Sequence, residues 1–494
     1  MDRQSRFPHL RQDFAASLVV FLVALPLCVG VAVASGVPAE LGLITGIVGG
    51  LVTGVMRGSS LQVSGPAAGL TVLVFEAVRT FGLPALGVIV LVTGLLQLAM
   101  GALKLGRWFR AISVSVVEGM LAGIGLVIIA GQLYAAAGME APASGLGKIA
   151  GLPEILAEAA ASTVALTSLA IGAATVVVMV LWKRLPKRVQ AVPGALAAVV
   201  LSTLASVVFD APVATVEVQG LLGAVRPPDP GTFAELANLS LLGTVLAFTL
   251  IASAESLFSA AAVDRLHDGP RTEYDKELMA QGAGNTVSGL LGALPMTAVI
   301  VRSSANVQAG AKTKASRVLH GVWLLLFAVL VPFVLALIPL PALAGILVHA
   351  GWKLIPLRTI APLWREHRGE ALILVTTAVA IVAVNMFEGV LIGLALSVVK
   401  TAWQASHIKL VVVDKGTGPI QACLSGYATF LRLPKILDSL EALPQDRPIQ
   451  LDLSGLRHLD HACRTALENW AVRHSSADTE PVRVRTVAGI GMSD

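Results

Sequence analysis

The stretch LQVSGPAAGLTVLVFEAV, residues 61–78, lies among long apolar runs, and its reading decides the fold. Leu61-Gln62-Val63-Ser64 reads as a strand, and Gly65-Pro66 then opens a helix of about thirteen residues before Arg79. At about 1.5 Å per residue such a helix covers roughly two thirds of a 30 Å hydrocarbon core. A membrane-spanning segment is thus expected to be half unwound here, and the surrounding sequence has to say why.

Composition establishes the membrane. Of the 494 residues, 55% are hydrophobic and only 14% charged, and apolar stretches recur from Phe14 to Trp403, which no soluble core of this length needs. The formal charge of +5 comes from Lys and Arg gathered in particular loops, so it reports topology and gives no sign of a nucleic-acid partner. Cys28, Cys423 and Cys463 lie far apart without metal-ligand spacing, which supports neither a disulfide framework nor a zinc site. Nucleophile–base pairs, metal clusters and phosphate loops at useful spacing are missing too, so neither an enzyme nor a cofactor is expected. The basic stretch MDRQSRFPHLRQD precedes an apolar run that contains Pro26 and lacks an A-x-A-like end, which predicts a retained first helix.

Fourteen apolar segments follow, near 14–35, 41–57, 61–78, 85–103, 113–137, 161–182, 193–209, 241–263, 278–292, 294–312, 318–338, 341–353, 371–387 and 389–403. With residues 1–13 cytoplasmic, alternate loops place Arg57, Lys104, Arg107, Arg110, Lys183, Arg184, Lys187, Arg188, Lys312, Lys314, Arg317, Lys353, Arg358 and Lys400 on that side. The opposite loops carry chiefly Arg79, Lys148 and Arg226. This asymmetry predicts an even number of spans with both termini cytoplasmic.

The second half contains the counterpart of the first break. In GALPMTAVIVRSSANVQAGAKTK, residues 292–314, a β-branched piece Val299-Ile300-Val301 leads into Arg302 and a short helical run ending at Gly310. Each broken segment is the third of a set of seven, over about 14–209 and 241–403, and an odd count inverts the second set. A discontinuous helix at matching positions of two inverted repeats points to a transport site near the bilayer midplane. Extended backbone there has to be buried in protein, with the two stretches able to pair as short strands. The half-helices would then aim unpaired N–H groups and positive dipole ends inward, which favours an anion. Gly65-Pro66 alone also fits a plain kink; the matched second break favours the site.

Glu255, in FTLIASAESLFSAAAVD, is the ionisable residue deepest in an apolar run, with Ser259 one turn along the same face. A charged carboxyl is expensive there, so Glu255 is expected to face a cavity, where it could carry a proton, help hold a cation, or hydrogen-bond helices together. Arg302 either adds positive charge behind the anion or pairs with a carboxylate. Pro26 either frees a carbonyl beside the cavity or only kinks its helix.

The segments SAESLFSAAAVDRLHDGPRTEYDKELMAQGAGNTVSGLLGALPMTAVIVRSSANVQAGAKTK, LPLCVGVAVASGVPAELGLITGIVGGLVTGVMRGSSLQVSGPAAGLTVLV and NMFEGVLIGLALSVVK closely resemble the bacterial SulP family of anion transporters, related to the animal sulfate, chloride and bicarbonate carriers and to prestin. The resemblance covers essentially the whole chain. It implies an all-α polytopic domain over 14–403, with fourteen helices in two inverted seven-helix repeats, divided into core and gate and often homodimeric. It also implies an anion site between the third and tenth helices, lined by the first and eighth. By position that site takes in Pro26, Leu27, Ser64, Gly65, Pro66, Ala67, Glu255, Ser259, Thr297, Ala298, Val299, Ile300, Val301 and Arg302. Where some members carry a small or hydroxyl residue, Val299 and Ile300 stand here, so a proton coupled through Glu255 is expected ahead of sodium.

Residues 408–494 resemble the cytoplasmic STAS domain, a small α/β fold. IQLDLSGLRHLDHACRTALENW keeps its strand, turn and helix, but His461, Ala462 and Cys463 follow Asp460 without the Ser or Thr that related domains phosphorylate. The chain reaches Asp494 shortly after a strand in PVRVRTV, which leaves little room for a last helix. His458, His461 and Cys463 have weak metal spacing, and fold roles are expected for them. The functional expectation is a secondary transporter of small anions (bicarbonate, sulfate or dicarboxylate) in the cell (inner) membrane. An uncoupled anion conductor on the same fold and a nucleobase permease of similar architecture stay open, to be separated by coupling stoichiometry and by competition with uracil.

Overall fold

In this computed structural model the described residues are 9–485, apart from 108–112, 143, 183, 187–188, 219, 229–230, 232, 234–237, 415, 417, 445–446 and 476–481. The expectations for Arg110, Lys183, Lys187, Arg188 and the chain beyond Arg485 lie outside them. The chain divides into two compact units, Met1–Leu394 and Ala395–Asp494.

Helices form at each of the fourteen expected positions: α1 Leu10–Ala34, α2 Ala39–Val48, α3 Thr71–Phe81, α4 Leu83–Ala102, α5 Val114–Ala136, α6 Thr163–Trp182, α7 Gly194–Val208, α8 Leu239–Val263, α9 Tyr274–Leu290, α10 Ile300–Gln308, α11 Ala315–Leu330, α12 Leu340–Leu354, α13 Arg368–Ala383 and α14 Met386–Ala405. Short helices such as Gly145–Ala150 and Leu357–Glu366 lie between some of them. Among the described residues, seven helices are long and apolar enough to cross a membrane by length and composition.

The packing repeats itself across the two halves. Helix α4 runs along α9 as α2 does along α11, and α1 meets α11 as α8 meets α4. In the other group α5 packs on α12, and α5–α13 has its counterpart in α12–α6. Each contact recurs with both helices exchanged for those seven places away, which is the mark of two inverted repeats. It separates a core of α1–α4 and α8–α11 from a gate of α5–α7 and α12–α14.

Both breaks lie in the core, and each differs in detail from the sequence reading. Strand β1 is Ser64–Pro66, so Gly65 and Pro66 belong to the strand and not to a helix start. A single turn, Ala68–Leu70, then leads into α3 at Thr71. Strand β2 is Met296–Ala298, and α10 begins at Ile300, within the stretch expected to be extended. The shift follows from pairing: β1 and β2 run antiparallel with Ser64 opposite Ala298, Gly65 opposite Thr297 and Pro66 opposite Met296. Pro66 lacks an N–H, so it ends a ladder that continues at the other end through Val299 N–H to Val63 O at 3.0 Å.

So short a ribbon needs help to satisfy its backbone inside a membrane. Asn285 on α9 closes one end, with Oδ1 accepting from Met296 N at 2.7 Å and Nδ2 donating to Met296 O at 3.1 Å. Ser303 Oγ accepts from Val63 N at 2.9 Å, and Ser256 Oγ accepts from Ala298 N at 3.3 Å. Gln281 Nε2 donates to Ser64 Oγ at 2.7 Å and to Glu277 Oε1 at 2.8 Å. Each bond replaces one that lipid could not supply.

The C-terminal unit has a four-stranded sheet in the order β3-β4-β5-β6: Ile408–Val413, Ile420–Ala428, Ile449–Leu459 and Arg483–Arg485. The first pair is antiparallel and the others parallel. Helices α15 Leu433–Glu441 and α16 His461–Ser475 provide the crossovers, and Ile436 and Leu440, with Leu467 and Trp470, fill the core under the sheet. These strands fit the STAS-like fold. Asp460 sits at the start of α16, accepting from Cys463 N at 2.8 Å and Phe430 N at 2.6 Å. Cys463 is buried in this core, and burial together with Asp460 pushes its thiol up to about 12. It packs with Leu467 and Trp470 in the core of this unit.

Candidate functional site

The ribbon brings the two half-helices to one pocket. Neither the turn at Ala68 nor the start of α10 has a side-chain cap; Leu70 N donates to Ala67 O at 3.2 Å, while the N–H groups of Ala68, Gly69, Ile300 and Val301 have no side-chain acceptor among the described residues. Ala68 and Gly69 from one break, and Val299, Ile300 and Val301 from the other, line a pocket of about 730 Å³ including its mouth. Leu27 from α1 and Glu255 and Ser259 from α8 complete the core side. The gate supplies Met120 and Leu121 from α5 and Ala350 and Leu354 from α12.

Of the residues expected at the site, Leu27, Pro66, Glu255, Ser259, Val299, Ile300, Val301 and Arg302 line this pocket. Pro26, Ser64, Gly65, Ala67, Thr297 and Ala298 do not; apart from Pro26 on α1, they form the ribbon and its exit. Ser64, Ala67, Thr297 and Ala298 are at most 3% exposed, so they shape the wall without presenting side chains to it.

Arg302 joins the two breaks. Its side chain is fully buried, and Nη2 donates to Pro66 O at 3.3 Å. Nε and Nη1 are buried with no hydrogen-bond partner among the described residues; Nη1 packs against Gly65 of the ribbon, and the Cys28 thiol of α1 lies beside the group. Gly65 makes room for this group: a Cβ at that position would fall on Arg302 Nη1.

Glu255 faces the other half-helix. A Cβ on Gly69 would lie 2.8 Å from Oε1 and 2.9 Å from Oε2, so only a glycine lets the carboxyl approach the turn that opens α3. Oε2 is buried without a hydrogen-bond partner. The pocket thus combines two positive helix ends and one guanidinium with one carboxyl. With Glu255 neutral the field favours an anion strongly; with it ionised, much of that advantage is cancelled.

Sequence reasoning missed the polar scaffold behind the ribbon. Glu277, Gln281 and Asn285 recur every four residues along α9, one face of a helix. Asn285 Nδ2 also donates to Gln97 Oε1 at 2.8 Å, and Gln97 Nε2 to Ser253 Oγ at 3.1 Å. That polar stripe in an otherwise apolar run was the available signal. The gate wall of Met120, Leu121, Ala350 and Leu354 carries none, because lipid-facing residues have the same composition.

The pattern of the sulfate permease family matches residues 10–377. The chain belongs to that family. Similar proteins include YvdB of Bacillus subtilis, described as a "putative sulfate transporter", 30% identical over 394 residues, covering 79% of this chain and 73% of that one. The bicarbonate transporter BicA of Picosynechococcus is 28% identical over 426 residues, covering 82% and 72%. Among solved structures, the transmembrane domain of a cyanobacterial BicA superposes with a TM-score of 0.67 at 24% identity, over 80% of this chain and 98% of that one. SLC26A9 superposes with a TM-score of 0.78 at 16% identity, over 98% and 85%. At those identities the superpositions establish the fold. Family membership makes this a multi-pass membrane transport protein, not an enzyme.

Proposed function

We propose that this chain is a secondary transporter of small anions, of the bicarbonate, sulfate or dicarboxylate class, working by alternating access with a proton as the coupled ion. The observation that carries the reading is one pocket receiving two uncapped half-helix starts with the buried guanidinium of Arg302 in its wall. Sulfate and bicarbonate, the substrates named for the relatives, suit a site that recognises charge and size. All fourteen helices enter or cross the inner membrane, and both termini are cytoplasmic. A further cavity of about 1100 Å³ including its mouth shares Leu27, Val301 and Ala350 with the site and continues past Ser304 and Gln308 to Lys353. Positive loop charges put that end on the cytoplasmic side, so the pocket opens inward.

Uptake of radiolabelled bicarbonate, sulfate and dicarboxylates into proteoliposomes, with uracil as competitor, identifies the substrate. Flux that fails to saturate would make the protein an uncoupled conductor instead. Movement of core past gate has its own test. A Cβ on Gly30 of α1 would lie 3.9 Å from Leu343 Cβ of α12, a spacing that suits a disulfide. Oxidised Gly30→Cys/Leu343→Cys protein should bind anion yet stop transporting, with recovery on reduction. Transport surviving complete crosslinking would rule out relative motion at that contact.

A further inference from the structure

A second cavity lies along the same helices on the far side of the site. The anion pocket touches Val31 of α1, Gly69 before α3 and Met120 and Leu121 of α5. The next cavity begins two residues further along the first two, at Val33 and Ala34 and at Thr71 and Val72, and nearly two turns further along α5, at Val127 and Ile128. Its volume is about 670 Å³ including its mouth. Between the two, Ile124 and Leu70 are each 1% exposed and close the way.

Three polar groups are held in this cavity away from water. Lys148 is 5% exposed, on the short helix Gly145–Ala150. Its backbone is fixed to the gate by Tyr134, whose hydroxyl donates to Lys148 O at 2.9 Å. Its ammonium reaches across to the core, 5.8 Å from the centre of the Phe75 ring on α3. Thr71, also 5% exposed, lines the same cavity with a buried Oγ1 that has no hydrogen-bond partner. Gln132, 8% exposed, is the third polar lining group. An ammonium beside an unused hydroxyl and an amide, in an otherwise apolar hollow, is a cation site's opposite.

Glu76 does not fill it. Its field acts on Lys148, but it lines an adjoining small cavity, which shares Val72 and Val127 with this one and reaches Asn385 and Met386; Lys148 does not line that cavity. Burial pulls the Lys148 ammonium below the usual lysine range, with Glu76 opposing. A small anion in the cavity would stabilise the charged form at short range, as Glu76 does from further away.

We propose that Lys148, Thr71 and Gln132 form a second, outer subsite for small inorganic anions, on the route between the outer solution and the site at the half-helices; the proposal rests on reading the chain as an anion transporter. Lys148 belongs to the gate and Thr71 to the core, so the subsite is complete only while the two are apposed on the outer side. It holds an incoming anion next to the barrier that opens when they part.

The test compares half-saturating concentrations from the two faces. Uptake of radiolabelled sulfate and bicarbonate is measured in vesicles sorted by orientation, for wild type, Lys148→Gln and Glu76→Gln. Lys148→Gln should raise the outer half-saturating concentration about five- to tenfold while leaving the cytoplasmic one unchanged, the scale of one lost charge-assisted contact. Glu76→Gln, which removes a competing negative charge, should lower the outer value. The unchanged cytoplasmic value also reports that each variant is folded. If Lys148 were only a clasp between core and gate, Lys148→Gln would alter maximal rates from both faces and leave the outer half-saturation alone; that result, or equal shifts on both faces, overturns the subsite. A wild type that moves neither anion, nor a dicarboxylate under the same conditions, overturns the function proposed above, and the subsite with it.

Discussion

Gly65→Leu should abolish anion binding while leaving a folded, monodisperse protein. A side chain at position 65 must occupy the space of the Arg302 guanidinium, which is fully buried and bonded to Pro66 O. Overpacking of this kind costs about 1–3 kcal/mol, and a lost hydrogen bond to a charged group about 1.5–3 kcal/mol. Together they lower affinity by roughly two to four orders of magnitude. Ser64→Ala is the control on the neighbouring residue. It removes only the hydroxyl that accepts from Gln281, a change of about 1 kcal/mol, or several-fold. Calorimetric titration of both purified variants with the transported anion distinguishes the two effects, and native affinity in Gly65→Leu would mean that the anion binds elsewhere.

Glu255→Gln should abolish acceleration by an inward proton gradient while preserving anion binding. The carboxyl stands against the turn that opens α3, and one of its oxygens is buried with no partner. In that setting a negative charge competes with the substrate for the same two helix ends, so protonation should admit the anion and proton release should expel it. Glutamine keeps the shape and is permanently neutral. Uptake into liposomes with and without the gradient, for wild type and variant, reads the coupling directly. A wild type indifferent to the gradient would make Glu255 structural or the holder of another cation. A variant that still responds would place coupling on a different group.

Both breaks were legible because they rest on local chemistry, Gly65-Pro66 in the first and a helical run too short to span a membrane in the second, although Ile300 and Val301 of the β-branched run expected to be extended belong to α10. The position of each strand was not, since it depends on which residues face one another across the ribbon. Pro66 reads as the first residue of a helix when taken alone. Opposite Met296, it becomes the last residue of a strand. Glu255 and Arg302 stood out as charges in apolar runs, whereas Gln281 and Asn285, neutral and on the same helix, passed as tolerated polar residues. The C-terminal sheet was expected from the resemblance of residues 408–494 to the STAS domain, and β4 and β5, which alternate buried and half-buried positions over their first five residues, fit it.

The ribbon also constrains how the protein is made. Ser64 pairs with Ala298, so the first strand leaves the ribosome long before its partner has been synthesised. At about 5–20 residues per second the wait is on the order of tens of seconds. Throughout it the first repeat resides in the bilayer with an open strand edge, an arrangement lipid does not tolerate unless water or the insertion machinery covers it. Asn285, Gln281 and Ser303, the side chains that close the ribbon, also arrive with the second repeat. The first half therefore cannot mature alone, and biogenesis of the binding site is a late, all-or-none event that a nascent chain stalled before Met296 never reaches.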